Sequence, residues 1–146
     1  MRMRIHGLLA SLLAAIVAGY CIGQATPPIS ADGDSEIRLF EIRTYTTEPG
    51  KLDALNARFR DHTTKLFDKH GMTNIGYWTP TAAPRSEDTL IYVLAHKSRA
   101  DADKSWQAFR SDPVWLKARG ESEAAGPIVR KVESVFVTPT DYSPLK

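Results

Sequence analysis

An α+β domain built on a single antiparallel sheet is what this sequence predicts, and three observations predict it. Runs that alternate with period two and runs that repeat at three- and four-residue steps follow one another in the order strand, helix, strand, strand, helix, strand. Glycine, proline and capping residues fall at the boundaries of those runs. The chain beyond its leader is long enough for one compact core and too short for two.

The leader comes first. Arg2 and Arg4 precede an apolar run from Leu8 through Ile22 that ends at Gly23-Gln24-Ala25, which is the layout of a secretory signal peptide cleaved after Ala25. The run falls short of the roughly 20 residues of a spanning helix, and Thr26-Pro27-Pro28 follows at once, which argues against a permanent membrane anchor. Cys21 is the only cysteine, and Tyr20 stands where a lipoprotein site carries a small residue. The sequence therefore favours a Cys that leaves with the signal over a lipid anchor at Cys21. A mature chain without a thiol has no disulfide, thiolate nucleophile or Cys metal site. Loss of Arg2 and Arg4 takes the formal charge from +2 to neutral, which removes the electrostatic case for nucleic-acid binding. The expected location is periplasmic or secreted. Residues 26–36, rich in Pro, Ser, Asp and Gly, read as a flexible lead-in to a domain over 37–140, with 141–146 as a C-terminal tail.

The first strand is expected over 37–46, with Phe40 and Ile42 on one side and Leu39, Glu41, Arg43 and Tyr45 on the other. Pro49-Gly50 breaks it. Leu52, Leu55, Phe59, His62 and Leu66 then recur on one face of a helix that stops near Gly71, after Lys69 and His70. Residues 72–79 and 89–96 read as an antiparallel hairpin around a loop holding Pro80, Pro84 and Arg85. Ser98 caps the next helix, with Asp101 three residues on and Trp106 and Phe109 facing inward. Asp112 caps a further segment that has Pro113 at its first position and ends at Gly126-Pro127. Residues 132–137 form the last strand.

This is the split βαβ order of ferredoxin-like domains, with both helices on one face of the sheet. Leu39, Tyr45, Tyr77, Tyr92 and Leu94 are expected among the positions of the uncovered face. Such an apolar face is rare on a monomer, and two sheets facing each other in a homodimer would cover it.

Glu41, Arg43 and Tyr45 leading to Pro49-Gly50, Gly76-Tyr77-Trp78 in the second strand, and Asp112-Pro113-Val114-Trp115 stand in an order that resembles the NIPSNAP family, within the wider dimeric α/β-barrel superfamily. The match runs from 37 to about 138. The resemblance implies the ferredoxin-like fold, a dimer forming an α/β barrel, and a cavity between sheet and helices or inside the barrel. It settles no activity, since related barrel families include cofactor-free oxygenases acting on aromatic compounds, haem-handling enzymes and small-molecule isomerases. The chain departs from many relatives by placing His96 before Lys97-Ser98, where they carry an aromatic-rich third strand.

Among individual residues, Arg43 is a candidate anchor for an anion or carbonyl, with Tyr45 as a second donor. The structural alternative is an Arg-Glu pair with Glu41 across the dimer interface. His96 shares a strand face with Tyr92 and Leu94 and is the candidate proton carrier or haem ligand, against a strand-end His bonding to the following helix cap. Trp78 with Tyr77, and Tyr92, are candidate ligand-contact residues, whereas Trp106 and Trp115 read as packing residues. His62 is expected in the core and His70 at a helix end. No His pair has metal-ligand spacing, and no glycine-rich phosphate loop, Gly-X-Ser-X-Gly elbow or paired-carboxylate signature occurs. Neither a metal nor a cofactor is expected.

The reading is thus of an exported homodimer that binds a small apolar or aromatic ligand or a protein partner. The alternatives are a cofactor-independent oxygenase or isomerase acting on an aromatic or carbonyl compound, and a structural protein with a filled barrel.

Overall fold

A computed structural model describes residues 38–145 of the chain, so the expected signal peptide and lead-in lie outside the described residues. Strand β1 (Leu39–Thr47) leads through Gly50, whose φ of 71° suits glycine, into helix α1 (Leu52–Arg58), a π turn (Phe59–Thr63) and α2 (Thr64–Lys69). Strand β2 (Thr73–Trp78), the short α3 (Arg85–Asp88), β3 (Thr89–His96), α4 (Arg99–Ser111), α5 (Pro113–Ser122) and β4 (Val129–Val137) complete the order. The sheet runs β2-β3-β1-β4 with every pairing antiparallel. The expected α+β, ferredoxin-like topology is the observed one.

Local chemistry accounts for the boundaries. Gly71, at φ 75°, ends α2 where a side chain would be strained. The Ser98 hydroxyl accepts the Asp101 N–H at 3.1 Å to start α4. Asp112 Oδ1 accepts the Val114 N–H at 2.7 Å to start α5, with Pro113 behind it. The same Asp112 carboxylate takes Lys69 Nζ at 2.6 Å and His70 Nε2 at 2.7 Å. One buried acid thus ties the end of α2 to the α4-α5 junction, and donations from Lys69 and His70 hold it below the ordinary carboxylate range.

The core lies between the helices and one face of the sheet. Leu55, Phe59, Phe67, Tyr92, Leu94, Trp106 and Phe109 are its centre, with Tyr45 and Tyr77 packed against it. Here the expected face assignment is corrected. Tyr45, Tyr77, Tyr92 and Leu94, with Leu39 in register opposite His96, face the helices, and the uncovered face is that of Ile42, Ile91, Val93 and Val135. Both phases of β1 carry apolar side chains, so alternation defined the two faces without saying which one the helices cover.

A second correction concerns His62, which is exposed. The π turn accommodates one extra residue per turn, and the Thr63 hydroxyl donates to the Arg58 carbonyl at 3.1 Å within it. Thr63 therefore points inward where a regular helix would place His62. On the uncovered face, a Cβ at Gly76 would come within 2.5 Å of Trp78 Cη2. Glycine at 76 lets the indole lie flat across the strand, which gives the Gly-X-Trp spacing its physical reason.

Leu55→Ala, which empties a fully enclosed site, should cost about 2–5 kcal/mol in urea unfolding. His62→Ala should stay within about 0.5 kcal/mol of the parent chain. A loss at His62 matching that at Leu55 would contradict the rotation imposed by the π turn.

Candidate functional site

A side chain near the start of β1 organises the site. Glu41 is only 1% exposed, and a carboxylate so enclosed is stable only when its oxygens are fully hydrogen-bonded. Arg43 Nη1 and Ser134 Oγ each donate to Oε1 at 2.6 Å. Trp106 Nε1 donates to Oε2 at 2.7 Å, and His96 Nε2 lies 3.1 Å from the same oxygen. The four partners come from β1, β4, α4 and β3. Burial by itself pushes the Glu41 carboxyl up, but the donations from His96, Ser134, Trp106 and Arg43 more than offset it and bring it down to about 2. Glu41 and Arg43 pair within the chain on the helix side of the sheet, where the structural alternative in the sequence had them pair across a dimer interface.

Arg43 continues this network toward a cavity. Its guanidinium lies over the Trp106 ring at 4.2 Å, and its Nη2 is 3.5 Å from the Tyr45 hydroxyl. A cavity of about 290 Å³ opens here between sheet and helices. Tyr45, Trp106, Phe109 and Trp115 supply its aromatic wall, and Val129, Val132 and Pro127 close one side. Arg43, Arg58, Arg110 and Arg119 bring four guanidinium groups to it, and Glu123 brings one carboxylate. Arg58 comes from the residue just before the π turn and is 5% exposed, with Nη1 donating to Glu123 at 2.9 Å and to Ser122 at 3.1 Å. Its guanidinium lies 5.3 Å from the Trp115 ring.

The sequence-derived candidates divide between this site and its surroundings. Arg43 and Tyr45 line the cavity. Tyr92 sits directly behind Tyr45, with ring centroids 5.3 Å apart, fully enclosed between Tyr77 and Phe67. Burial pushes its phenol well above the ordinary value. His96 is enclosed beside Glu41, its Nδ1 without a partner among the described residues, and does not reach the cavity wall. Trp78 lies on the opposite face of the sheet, half exposed.

Sequence reasoning missed Ser134, Arg58, Arg110, Arg119 and Glu123, and took Trp106 and Trp115 as packing residues only. Arg58 did leave a signal, since it adjoins the apolar stripe of Leu52, Leu55 and Phe59. A charged residue there needs a partner. Among the described residues, no cluster of His, Cys, Asp and Glu is arranged to hold a metal ion, and no helix is long and apolar enough to cross a membrane. The arrangement can hold a small ligand against aromatic rings with guanidinium donors around it.

Because Glu41 titrates lower in the folded chain than its ordinary 4.5, its contribution to stability is complete above about pH 4.5. That contribution, on the order of 3 kcal/mol, is lost as pH falls through about 2. Glu41→Gln should be less stable at neutral pH and should show a flatter fall in urea-unfolding free energy below pH 4.5. The remaining slope belongs to Asp112 and Glu123, both held below their ordinary values. An unchanged slope in Glu41→Gln would remove Glu41 from this role.

The fold is shared with several solved structures. A NIPSNAP family protein of unknown function from Agrobacterium tumefaciens superposes with a TM-score of 0.65 at 22% identity, covering 76% of this chain and 96% of that one. An uncharacterised NIPSNAP-like domain protein from Burkholderia xenovorans gives a TM-score of 0.64 at 15% identity, covering 75% of this chain and 90% of that one. A monooxygenase from Streptomyces coelicolor, solved with nanaomycin D, gives 0.50 at 12% identity, covering 75% of this chain and 94% of that one. No curated protein matches the sequence. The NIPSNAP family model matches residues 40–144. With that match over most of its length, the chain belongs to the NIPSNAP family.

Proposed function

We propose that this chain works as an exported homodimer whose cavity between sheet and helices binds a small apolar or aromatic ligand. The cavity wall carries the reading. Four aromatic rings from β1, α4 and α5 enclose about 290 Å³, near the lower end of the roughly 300–1,000 Å³ of small-molecule sites. Rings arranged around a concave space give an apolar body something to stack against, and the arginines beside them give it orientation.

The dimer rests on the other face of the sheet. Ile42, Ile91, Val93, Val135 and Trp78 form an apolar surface that no helix among the described residues covers, and a monomer rarely leaves such a patch in water. A second copy presents the same patch, so a twofold pairing buries both and closes two sheets into a barrel. Export rests on Arg2, Arg4 and the apolar run that follows them. Protein purified from its native host should begin at Thr26 and sediment as a dimer, and Ile42→Glu should convert it to a monomer. A parent chain that sediments as a monomer would count against the pairing, and a retained Met1 against cleavage.

A catalytic version has a specific observation in its favour, because Arg43 and Tyr45 stand together on the wall. There they would hold a carbonyl or aromatic substrate for a cofactor-independent oxygenase or isomerase. His96 meets that wall only through Glu41, so any proton it moves passes through the carboxylate. Fluorescence titration with naphthol as a neutral probe separates the readings. Saturable binding that Trp115→Ala weakens and His96→Ala changes by no more than a few-fold is expected for a binding cavity. Loss of turnover in His96→Ala with affinity kept would support catalysis, and no saturable binding at all would point to a structural or protein-docking role.

A further inference from the structure

We infer that the ligand of this cavity carries a carboxylate on its aromatic body, and that Arg110 supplies the cation left free to meet it. This rests on the ligand-binding reading above and narrows it to a chemical class.

Charge at the wall is the first ground. Four guanidinium groups face two carboxylates, Glu41 behind Arg43 and Glu123 between Arg58 and Arg119. Arginine does not shed its proton in proteins, so the surplus of positive charge is permanent. Arg43 is spent on Glu41 and on the Trp106 face. Arg58 and Arg119 share one acid, Glu123, which accepts Arg58 Nη1 at Oε1 and Arg119 Nε at Oε2. Arg110, one residue beyond Phe109 on α4, lines the same cavity, is exposed, and has no hydrogen bond or ion pair among the described residues.

Unspent donors are the second ground. The Nε atoms of both Arg43 and Arg58 are buried without an acceptor among the described residues, so neither guanidinium is fully compensated within the wall. Those two nitrogens are themselves covered, so they raise the positive potential of the wall while a ligand meets the more open guanidinium edges of Arg110 and Arg119.

Shape decides between anions. Tyr45, Trp106, Phe109 and Trp115 make the wall aromatic, and Val129, Val132 and Pro127 add to its apolar lining. No glycine-rich loop stands there to supply the backbone N–H groups with which phosphate sites are usually built. A planar carboxylate matches the planar fork of arginine in two parallel hydrogen bonds, and a flat aromatic body matches the rings. An aromatic monocarboxylate satisfies both halves of the site.

Calorimetry on the full mature protein with naphthoate and its neutral counterpart naphthamide tests this. Naphthoate should bind at least roughly tenfold more tightly than naphthamide, and added salt should narrow the difference. Arg110→Gln, a change on an exposed helix position, should weaken naphthoate several-fold and leave naphthamide unchanged. Equal affinity for the two probes overturns the carboxylate assignment and leaves the ligand cavity standing. Failure of both probes, and of naphthol, removes the cavity reading as well. Naphthoate affinity that Arg110→Gln does not change overturns the role of Arg110, and displacement of naphthoate by equimolar inorganic phosphate reassigns the site to a free anion.

Discussion

Everything in this domain is arranged around a carboxylate that has been taken out of water. Glu41 lies on the inner strand β1, and the energetic demand it makes is severe, because an enclosed charge without partners would be worth several kcal/mol against folding. The demand is met by one donor each from β1, β3, β4 and α4. Those donors fix more than an acid. They hold β4 against β1 at Ser134, seat α4 on the sheet through the Trp106 indole, and orient the Arg43 guanidinium in the one direction that lays it over the same indole.

That orientation links stability to the site. Arg43 is at once the counter-charge of Glu41 and a wall of the cavity, and Trp106 is at once a donor to Glu41, a core residue and a wall. Substitutions at either would therefore alter folding and binding together, whereas Arg110 and Arg119 touch the cavity from exposed positions and can vary without disturbing the acid. The π turn adds a second link. It lies immediately after Arg58, and by widening the helix it places Thr63 inward and lets Arg58 reach Ser122 and Glu123 at the end of α5. An irregularity of this kind is commonly found beside functional sites.

The two faces of the sheet then divide the work. The helix-covered face carries the acid, the arginines and the aromatic wall, and the other carries β-branched side chains and a flattened indole over Gly76. One face carries a concave aromatic wall and the other an open apolar surface, and a period-two strand is what allows one short stretch, Phe40 through Tyr45, to contribute to both.

The sequence by itself determined the elements, their order and their caps. Ser98 and Asp112-Pro113 cap helices through residues a few positions away and Gly50 and Gly71 act through their own backbone angles, and such local features are legible in a linear text. It also determined the family, since Glu41, Arg43 and Tyr45, Gly76-Tyr77-Trp78 and Asp112-Pro113-Val114-Trp115 are local spacings. Only the tertiary structure decided which face of β1 is covered, because Leu39 and Tyr45 on one side and Phe40 and Ile42 on the other satisfy the same alternation. It alone supplied the orienting partner of His96, a carboxylate 55 positions earlier that the β1-β3 register brings to it. It alone gathered Arg58, Arg110, Arg119 and Glu123 around two tryptophans that read as packing. Each of those is a long-range juxtaposition set by register and helix docking, and none leaves a period or a spacing in the chain.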